Sequence, residues 1–266
     1  MRRPAQLQKG VYLLPNLCTT ASLFCGFYSV VKSLSGDFFH ATWAILVAGL
    51  LDFLDGRIAR LTKTQSAFGI QYDSLVDLVS FGFAPGLLVY TWSLYQFKRV
   101  GWLAAFLFVA CGALRLARFN VQTGTMEKRY FQGLPIPSAA YTLVGLVLFY
   151  QFLYGEVEVR GWFPLFLTIT LALLMVSKVR YRSFKDIDWG SRQSFYYLVF
   201  GLALLTLVAL APDIVIFFGG IVFASSGPVL EILNLRKKVA EAEQRRKGKA
   251  RRFQVLSLEE KHDGTG

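Results

Sequence analysis

Eight apolar blocks dominate the sequence, and each approaches the length that a helix needs to cross a bilayer. A membrane-spanning helix requires about 20 predominantly apolar residues. The blocks lie near residues 13–32, 38–57, 74–94, 101–119, 136–154, 161–177, 194–211 and 214–233. They predict an all-α fold, a polytopic membrane helix bundle with about eight transmembrane helices.

The composition supports a membrane environment for these blocks. Hydrophobic residues make up 54% of the chain and charged residues only 17%, whereas soluble domains carry about 25% charged residues. A chain this apolar needs an apolar solvent, so the blocks predict one membrane domain at residues 11–235. A basic arm, residues 1–10, precedes it, and a basic tail, residues 236–266, follows it. We expect the tail to be partly disordered.

The distribution of Lys and Arg predicts the orientation of the chain, because cytoplasmic loops carry an excess of these residues. With an even number of spans, both termini lie on the same side. Placing that side in the cytoplasm puts 25 of the 29 basic residues there. The four on the other side are Lys32, Lys98, Arg99 and Arg160. The sequence therefore predicts a multi-pass protein of the cytoplasmic (inner) membrane, with the arm, the tail and both termini in the cytoplasm.

The net charge of +12 follows from the same pattern. Basic residues at the cytoplasmic face attract anionic lipid headgroups, with about 1 kcal/mol for each residue near the surface. Nucleic-acid binding is the competing interpretation of a basic chain, but these charges sit in short loops between apolar blocks and in one tail. We expect membrane lipids, and no nucleic acid, as partners.

Four aspartates interrupt the apolar pattern where the second block ends and the third begins. Asp52 and Asp55 are three residues apart, and Asp73 and Asp77 are four apart. On a helix each pair shares one face, with Cβ atoms about 5–6 Å apart. The 17 residues between Asp55 and Asp73 are enough to end one helix and start the next antiparallel to it. The spacing therefore predicts that the four carboxylates meet at the cytoplasmic face.

Four ionised carboxylates at a membrane face repel one another, and each costs about 2.5–3.5 kcal/mol to insert at a helix centre. Cations must compensate them or protons must neutralise them. Hard oxygen ligands select Mg²⁺, Mn²⁺ or Ca²⁺, and two divalent ions about 4 Å apart are a known device for displacement at phosphorus. The bland alternative, helix-end charges at the water interface, explains any one of these aspartates but explains all four poorly.

The spacing of these residues also carries a resemblance. The sequence reads Asp52-x2-Asp55-Gly56-x2-Ala59-Arg60-x8-Gly69-x3-Asp73-x3-Asp77. This pattern resembles, without a departure, the signature of the CDP-alcohol phosphotransferase family. Those enzymes move a substituted phosphate from a CDP-linked lipid or alcohol to a second alcohol and release CMP.

The resemblance implies a role for each matching residue. Asp52, Asp55 and Asp73 would be metal ligands, and Asp77 would complete the second metal site and act as general base. The implied cofactor is a pair of divalent ions, Mg²⁺ or Mn²⁺. Members of the family are commonly homodimers, so the resemblance also implies a homodimer.

The nucleotide and its pyrophosphate would be bound by a second set of residues. The resemblance assigns this role to Gly56, Arg60 and Ser66. Leu14-Pro-Asn-Leu-Cys-Thr19 resembles the nucleotide-side loop of the family, which adds Asn16 and Thr19 as candidates.

The flanking segments point to one subgroup of the family. Residues 73–86, 115–120 and 131–140 resemble the membrane-type phosphatidylserine synthases, which implies CDP-diacylglycerol and L-serine as substrates and phosphatidylserine and CMP as products. Serine brings a carboxylate that a guanidinium can clamp. The acceptor candidates are Arg115, Arg118 and Asn120. The alternative for the two arginines is that they are positive-inside anchors.

Other functions stay open at this point. A sibling enzyme could use glycerol phosphate, inositol phosphate or choline as acceptor, and an archaeal ether-lipid serine synthase would present the same residues. From a different class, a cation transporter also places carboxylates in membranes. A transporter would favour charges near the bilayer midplane and often an internal repeat, and neither is found in the sequence. With two histidines in the chain and no evident Ser, Cys or His nucleophile, we expect direct displacement without a covalent intermediate.

Overall fold

The computed structural model describes most of the chain from the first apolar block onward. The described residues are 5–62, 66–122, 130–155, 159, 161–182, 201–203, 206–233 and 236. Of residues 5–14, 60, 122, 130, 131, 180 and 182 it describes the backbone alone. Residues 1–4 of the predicted arm, the first part of the predicted seventh span and all of the predicted tail except residue 236 lie outside the described residues.

Helices make up nearly all of the described secondary structure. They are α1 (Ala5–Leu34), α2 (Phe38–Thr62), α3 (Ala67–Asp77), α4 (Ala84–Trp92), α5 (Arg99–Gln122), α6 (Ile136–Tyr154), α7 (Trp162–Val176) and α8 (Pro212–Leu233). A π-helical segment, Leu78–Phe83, joins α3 to α4, and a short 3₁₀ turn, Leu94–Phe97, precedes α5. The predicted helical class is confirmed. Because α1 begins at Ala5, the predicted boundary at residue 11 falls inside a helix.

Among the described residues, six helical stretches are long and apolar enough to cross a membrane. They are Pro15–Leu34, Phe38–Ala59, Ala67–Trp92, Arg99–Val121, Ile136–Tyr154 and Pro212–Leu233. Two shorter apolar stretches, Trp162–Val176 and Gly201–Leu210, lie where the sixth and seventh spans are predicted, and residues 204 and 205 of the latter are outside the described part. The predicted count of eight spans thus corresponds to six helices of sufficient length and two shorter ones.

Local sequence signals set the helix ends that shape the site. Ser66 is the N-cap of α3, and its hydroxyl accepts a hydrogen bond from the Gly69 N–H at 2.9 Å; such a bond satisfies one of the free donors of a helix start. Pro135 and Pro137 open α6, where a missing N–H has no consequence. Gly155, with φ of 77°, ends α6 in the left-handed region that glycine adopts without strain.

The third spanning helix changes its winding directly after Asp77. The π-helical segment follows this residue, and Pro85 stands in the first turn of α4 beyond it. Pro85 has no N–H to give to an α-helical hydrogen bond. Isolated π-turns inside helices are frequent at functional sites, and here the turn lies immediately beside a predicted site residue.

The core lies where α4, α5 and α6 meet, with α2, α7 and α8 packed around them. Its largest buried side chains include Trp92, Phe81, Phe108, Leu143 and Leu146. Between α6 and α8, small residues allow close backbone approach. A Cβ at Gly145 would lie 2.6 Å from the backbone nitrogen of Phe217, and one at Gly220 would lie 2.5 Å from the Thr142 hydroxyl. Helices pack in membranes by such small-residue contacts.

One two-stranded ribbon departs from the all-helical pattern in the described residues. Strands β1 (Tyr130–Gln132) and β2 (Arg180–Arg182) pair antiparallel. Tyr181 of β2 is fully buried, and its hydroxyl donates a 2.9 Å hydrogen bond to the Ala224 carbonyl of α8. Burial raises the pKa of Tyr181 to about 12. The ribbon fixes the entry to α6 relative to α8. The sequence analysis did not predict it, because three-residue strands carry too few residues for a periodic signal.

Candidate active site

Carboxylates from two helices converge at one end of the bundle. Asp52 and Asp55 lie in the last turns of α2, and Asp73 lies in α3. One carboxylate oxygen from each of the three lies within 4.8 Å of the other two. The spacing predicted that each pair shares a face, and the packing of α2 and α3 in the bundle brings the two faces together.

Asp77 joins this cluster through Asp52. The carboxyl groups of Asp77 and Asp52 are in hydrogen-bonding contact. The other oxygen of Asp77, Oδ1, is buried and has no hydrogen-bond partner among the described residues. A buried carboxylate oxygen without a partner is costly, so this atom is available to a ligand or a proton.

Thr19 holds Asp55 in place from the neighbouring helix. Its hydroxyl lies 2.7 Å from Asp55 Oδ2 and 3.0 Å from the Pro15 carbonyl. The backbone N–H of Gly56 also donates to the Asp55 carboxylate. Asp55 is 5% exposed, the most enclosed of the four aspartates. Thr19, predicted to contact nucleotide, therefore touches a predicted metal ligand instead of facing open space.

The remaining nucleotide candidates lie around the start of α3. Asn16 approaches Gly69, since its amide oxygen lies 3.8 Å from where a Gly69 Cβ would stand. Ser66 caps α3 and is half-buried. The side chain of Arg60 lies outside the described residues. The structure thus brings Asn16 and Ser66 together at one edge of the cluster.

Among the acceptor candidates, Arg115 faces the carboxylates. It is only 9% exposed, interacts electrostatically with Asp77, and its Nε has no hydrogen-bond partner among the described residues. No described cation lies within 4.0 Å of Asp77. A buried guanidinium with an open donor can bind a small anionic group, such as a carboxylate, by charge-assisted hydrogen bonds.

The other two acceptor candidates have partners within the protein. Arg118 Nη1 donates a 3.0 Å hydrogen bond to the Val176 carbonyl at the end of α7, where a cation also complements the helix dipole. The amide nitrogen of Asn120 donates to the Ser74 hydroxyl at 3.0 Å. Asn120 therefore contacts α3 at Ser74, the residue after Asp73. Arg118 instead caps the C-terminus of α7.

Tyr141 is a site neighbour that the sequence analysis missed. It projects from α6, and a Cβ at Gly49 would collide with its hydroxyl. Asp52 and Asp77 both act electrostatically on this hydroxyl. Two features of the sequence could have indicated Tyr141. It is a polar side chain in an otherwise apolar stretch, and it directly follows the segment 131–140 that resembles the synthases.

The donor set fits a divalent cation. Carboxylate oxygens are the ligands that Mg²⁺ and Mn²⁺ prefer, and three converge while a fourth carries a buried oxygen with no partner. Arg57, one of the basic residues next to the cluster in the sequence, instead places its guanidinium 5.2 Å from the centroid of the Phe53 ring. The cluster therefore retains a deficit of positive charge among the described side chains.

Comparison with known proteins gives consistent matches. A family model described as CDP-alcohol phosphatidyltransferase matches residues 12–177. The CDP-diacylglycerol–serine O-phosphatidyltransferase of Helicobacter pylori (strain ATCC 700392 / 26695) is 44% identical over 207 residues, which cover 76% of this chain and 84% of that protein.

Two further relatives come from distant organisms. The CDP-diacylglycerol–serine O-phosphatidyltransferase of Bacillus subtilis (strain 168) is 34% identical over 172 residues, covering 65% of this chain and 91% of that protein. The archaetidylserine synthase of Methanothermobacter thermautotrophicus is 38% identical over 170 residues, covering 63% and 69% respectively. All three relatives are named as transferases or synthases, and none as a transporter.

Proposed function

The chain belongs to the CDP-alcohol phosphatidyltransferase family, and from this premise we propose that its carboxylate cluster transfers the phosphatidyl group of CDP-diacylglycerol to the hydroxyl of L-serine and releases CMP. The convergence of three carboxylates, with Asp77 in contact, inside the family-matched region is the observation that carries the proposal. As an integral membrane protein, the enzyme meets its lipid substrate within the bilayer.

The relatives support serine as the acceptor. The bacterial relatives are named for transfer to serine from CDP-diacylglycerol, and the archaeal relative is named for a serine lipid of another kind. These names differ in the lipid and agree on serine. The bacterial match has the higher identity and coverage, which favours the diacylglycerol lipid.

Asp52, Asp55 and Asp73 would hold divalent metal, with Asp77 completing a second position. Two ions, Mg²⁺ or Mn²⁺, would neutralise charge on the pyrophosphate and on the departing CMP. Thr19 and the Gly56 N–H keep Asp55 oriented for this role, as partners behind metal ligands commonly do.

The protein groups then arrange the acceptor. The guanidinium of Arg115 binds the serine carboxylate, and Asp77 accepts the proton of the serine hydroxyl. The serine oxygen forms a bond to the lipid-side phosphorus as the bond from that phosphorus to CMP breaks on the opposite side. Asn16, Gly56, Arg60 and Ser66 would orient the nucleotide. Such a base contributes about 10²–10⁴-fold in rate.

The proposal also includes the orientation of the protein in the membrane. We place the cluster at the cytoplasmic face of the inner membrane, with both termini in the cytoplasm, because Lys and Arg concentrate in the loops on that side. The two shorter apolar stretches would complete eight spans, and the enzyme would act as a homodimer.

Purified protein in detergent, given CDP-diacylglycerol, tests this function. We expect CMP release that depends on serine and on Mg²⁺ or Mn²⁺, with phosphatidylserine formed in equal amount. Glycerol phosphate, inositol phosphate and choline serve as acceptor controls and should give no product. Product with one of these and none with serine would replace serine as the acceptor, and absence of CMP release with every acceptor would refute the enzyme assignment.

A further inference from the structure

Two neighbouring helical stretches carry the groups that we assign to the acceptor. Asp77 ends α3 within the third spanning stretch, Ala67–Trp92, and Arg115 lies on α5. The two side chains are in electrostatic range of each other. An acceptor whose carboxylate binds Arg115 and whose hydroxyl meets Asp77 must span the gap between the two helices. The width of this gap therefore limits the length of acceptor that fits.

On one side of this pair, the two helical stretches touch at a glycine. Gly86 of α4 is buried, and a Cβ there would lie 3.2 Å from Val109 Cγ2 and 3.5 Å from the Ala105 carbonyl oxygen, both on α5. The small residue permits a close approach of the two helices. This contact fixes their spacing at a point nine residues beyond Asp77 in the third spanning stretch.

On the other side of the pair, a polar bridge of side chains joins the helices. The amide nitrogen of Asn120 donates to Ser74 Oγ at 3.0 Å and lies 3.5 Å from Gln71 Oε1. Ser74 comes three residues before Asp77, and Asn120 comes five residues after Arg115, which is the order of contacts between antiparallel helices. α5 packs closely on the π-helical segment but little on α3. Side chains therefore set the spacing here, where the backbones are further apart.

The amide of Asn120 is engaged with Ser74 through both of its polar atoms. Its Nδ2 lies 3.0 Å and its Oδ1 lies 3.3 Å from Ser74 Oγ. The Ser74 hydroxyl also lies 3.1 Å from the Ile70 carbonyl of its own helix. These contacts hold the amide within the protein, which favours a role in fixing α5 to α3 over direct binding of the acceptor.

We propose that Asn120 and Ser74 form a spacer that holds α5 and α3 at the separation suited to serine, and that this spacer makes the enzyme reject longer hydroxy amino acids. The proposal rests on the function proposed above. Asn120 is then a positioning residue that acts through Ser74. Because the helices are fixed at Gly86 and at the spacer, the gap between Arg115 and Asp77 cannot widen for an additional methylene group without breaking one of these contacts.

Homoserine is the acceptor that measures this gap. It has the carboxylate, the amino group and the primary hydroxyl of serine, with one additional methylene group between the carboxylate and the hydroxyl. One methylene group in a fitted pocket changes specificity by about 10–200-fold. We expect the starting protein to prefer serine to homoserine by a ratio of kcat/KM in this range. The ratio does not depend on the fraction of enzyme that is folded, because both acceptors report on the same active molecules.

Ser74→Val is the test, and Ser74→Thr is its matched control. Valine and threonine have the same branched shape and similar helix propensity, and they differ in the hydroxyl that contacts Asn120. We expect Ser74→Val to lower the preference for serine by at least about tenfold, while Ser74→Thr should retain it within about twofold. A preference in Ser74→Val equal to that in Ser74→Thr would overturn the proposal.

Thr20→Val controls for the loss of a polar contact elsewhere on α3. The Thr20 hydroxyl of α1 lies 3.0 Å from the Tyr72 hydroxyl of α3, and this contact does not involve α5. The preference for serine should stay within about twofold of the starting value. A loss as large as that in Ser74→Val would mean that the general stability of α3 sets the preference, which would also overturn the proposal.

Asn120→Ala separates a spacer from direct contact with the acceptor. If Asn120 acts only through Ser74, removal of either partner breaks the same contact. Asn120→Ala should then lower the preference about as far as Ser74→Val, and the double variant should lie within about twofold of either single variant. Losses that multiply in the double variant would show that Asn120 acts on the acceptor independently of Ser74, and the spacer would be refuted.

A distance measurement is independent of turnover. Spin labels are attached through Leu75→Cys and Leu114→Cys, at exposed positions of α3 and α5, in a protein whose three native cysteines are replaced by alanine. We expect the distance between the labels, measured by electron paramagnetic resonance, to lengthen or broaden with Ser74→Val and to match the starting protein with Ser74→Thr. An unchanged distance with a lost preference would overturn the spacer. A changed distance in a protein without serine-dependent CMP release would refute the function above and leave the spacer between α3 and α5 in place.

Discussion

The two ends of the α1–α2 hairpin carry aspartates in opposite circumstances. In the turn, Asp37 accepts from Lys32 Nζ at 2.9 Å and lies 2.7 Å from His40 Nδ1. The hydrogen bond from Lys32, followed by that from His40, lowers the pKa of Asp37 to about 2. At the other end, Asp52 and Asp55 have further carboxylates as neighbours and no described cation within 4.0 Å.

This difference separates a carboxylate whose charge the protein matches from the carboxylates that we propose bind a ligand. Asp37 caps α2, and its charge is matched by the protein itself, so it has no need of a ligand. The cluster is built from charges that the described side chains leave unmatched, with Arg115 in electrostatic range but unpaired. Such an arrangement persists in an apolar setting only when cations compensate the carboxylates or protons neutralise them.

Removal of divalent metal should have the largest effect on turnover, because it acts on the end of the hairpin whose carboxylates have no cation partner among the described side chains. After exhaustive chelation we expect serine-dependent CMP release to be abolished, a loss of at least about 100-fold, because metal ions supply several kcal/mol of charge stabilisation at phosphoryl groups. Added Mg²⁺ or Mn²⁺ should restore it. Circular dichroism should change little, since protons can neutralise the carboxylates when metal is absent. Full turnover in the chelated enzyme would show that the cluster acts without metal.

Asp77→Asn should have the next largest effect. It keeps the shape of the side chain and removes the base, so we expect turnover to fall by about 10²–10⁴-fold. Binding of CDP-diacylglycerol, followed by equilibrium dialysis with a radiolabelled lipid, should be largely retained. Near-normal turnover would take the role of base away from Asp77, and lost lipid binding would make it chiefly a metal ligand.

Arg115→Lys should raise the KM for serine. A guanidinium holds a carboxylate with two parallel hydrogen bonds, which an ammonium cannot reproduce, and a charged hydrogen bond of about 1.5–3 kcal/mol corresponds to roughly 10–100-fold. The KM for CDP-diacylglycerol should not change.

Arg118→Lys is the matched control for this substitution, because Arg118 lies one turn further along α5 and is engaged with the Val176 carbonyl. We expect its serine KM to stay within about twofold of the starting value. An equal rise of the serine KM in both variants would mean that general positive charge, and not a clamp at Arg115, attracts the acceptor.

Thr19→Val should weaken metal activation. The substitution removes the hydroxyl that contacts Asp55 and keeps the side-chain volume. Loss of such a partner behind a metal ligand typically costs 10–100-fold in metal affinity or activity, and we expect the low end, about tenfold in the Mn²⁺ concentration for half-maximal rate. Thr20→Val serves as control, since its hydroxyl contacts Tyr72 at the exposed surface. Equal shifts in both variants would exclude a specific role for the Thr19 contact.

The sequence predicted best what depends on residues close together in the chain. The fifth block, residues 136–154, coincides with α6, and the spacing of Asp52 with Asp55 fixed a shared helix face. In both cases the helix period relates sequence distance directly to position in space. The family signature spans both aspartate pairs, so the resemblance also related residues on two consecutive helices.

Contacts between distant helices were not predictable in the same way. The Tyr141 hydroxyl lies in electrostatic range of Asp52 because α6 packs on Gly49 of α2. Arg118 donates a hydrogen bond to α7 at a residue 58 positions away. Neither the apolar pattern nor the Lys and Arg count carries information on such pairs. For the same reason the sequence did not predict that Thr19, assigned to the nucleotide by resemblance, contacts Asp55.

Asp37→Asn should have the smallest effect, and it tests the compensated end directly. Asparagine keeps an acceptor oxygen for the His40 N–H and is a good helix cap, while exposed ion pairs contribute little, so we expect turnover within about twofold of the starting protein. Because the pKa of Asp37 is lowered in the folded state to about 2, its stabilising effect is complete above the ordinary carboxyl pKa of about 4 and is lost as pH falls through about 2. Thermal unfolding of both proteins from pH 7 to pH 2 should therefore show a small difference that disappears at the acid end. A loss of turnover as large as that of Asp77→Asn would mean that the two ends of the hairpin do not differ in the way their charge pairing indicates.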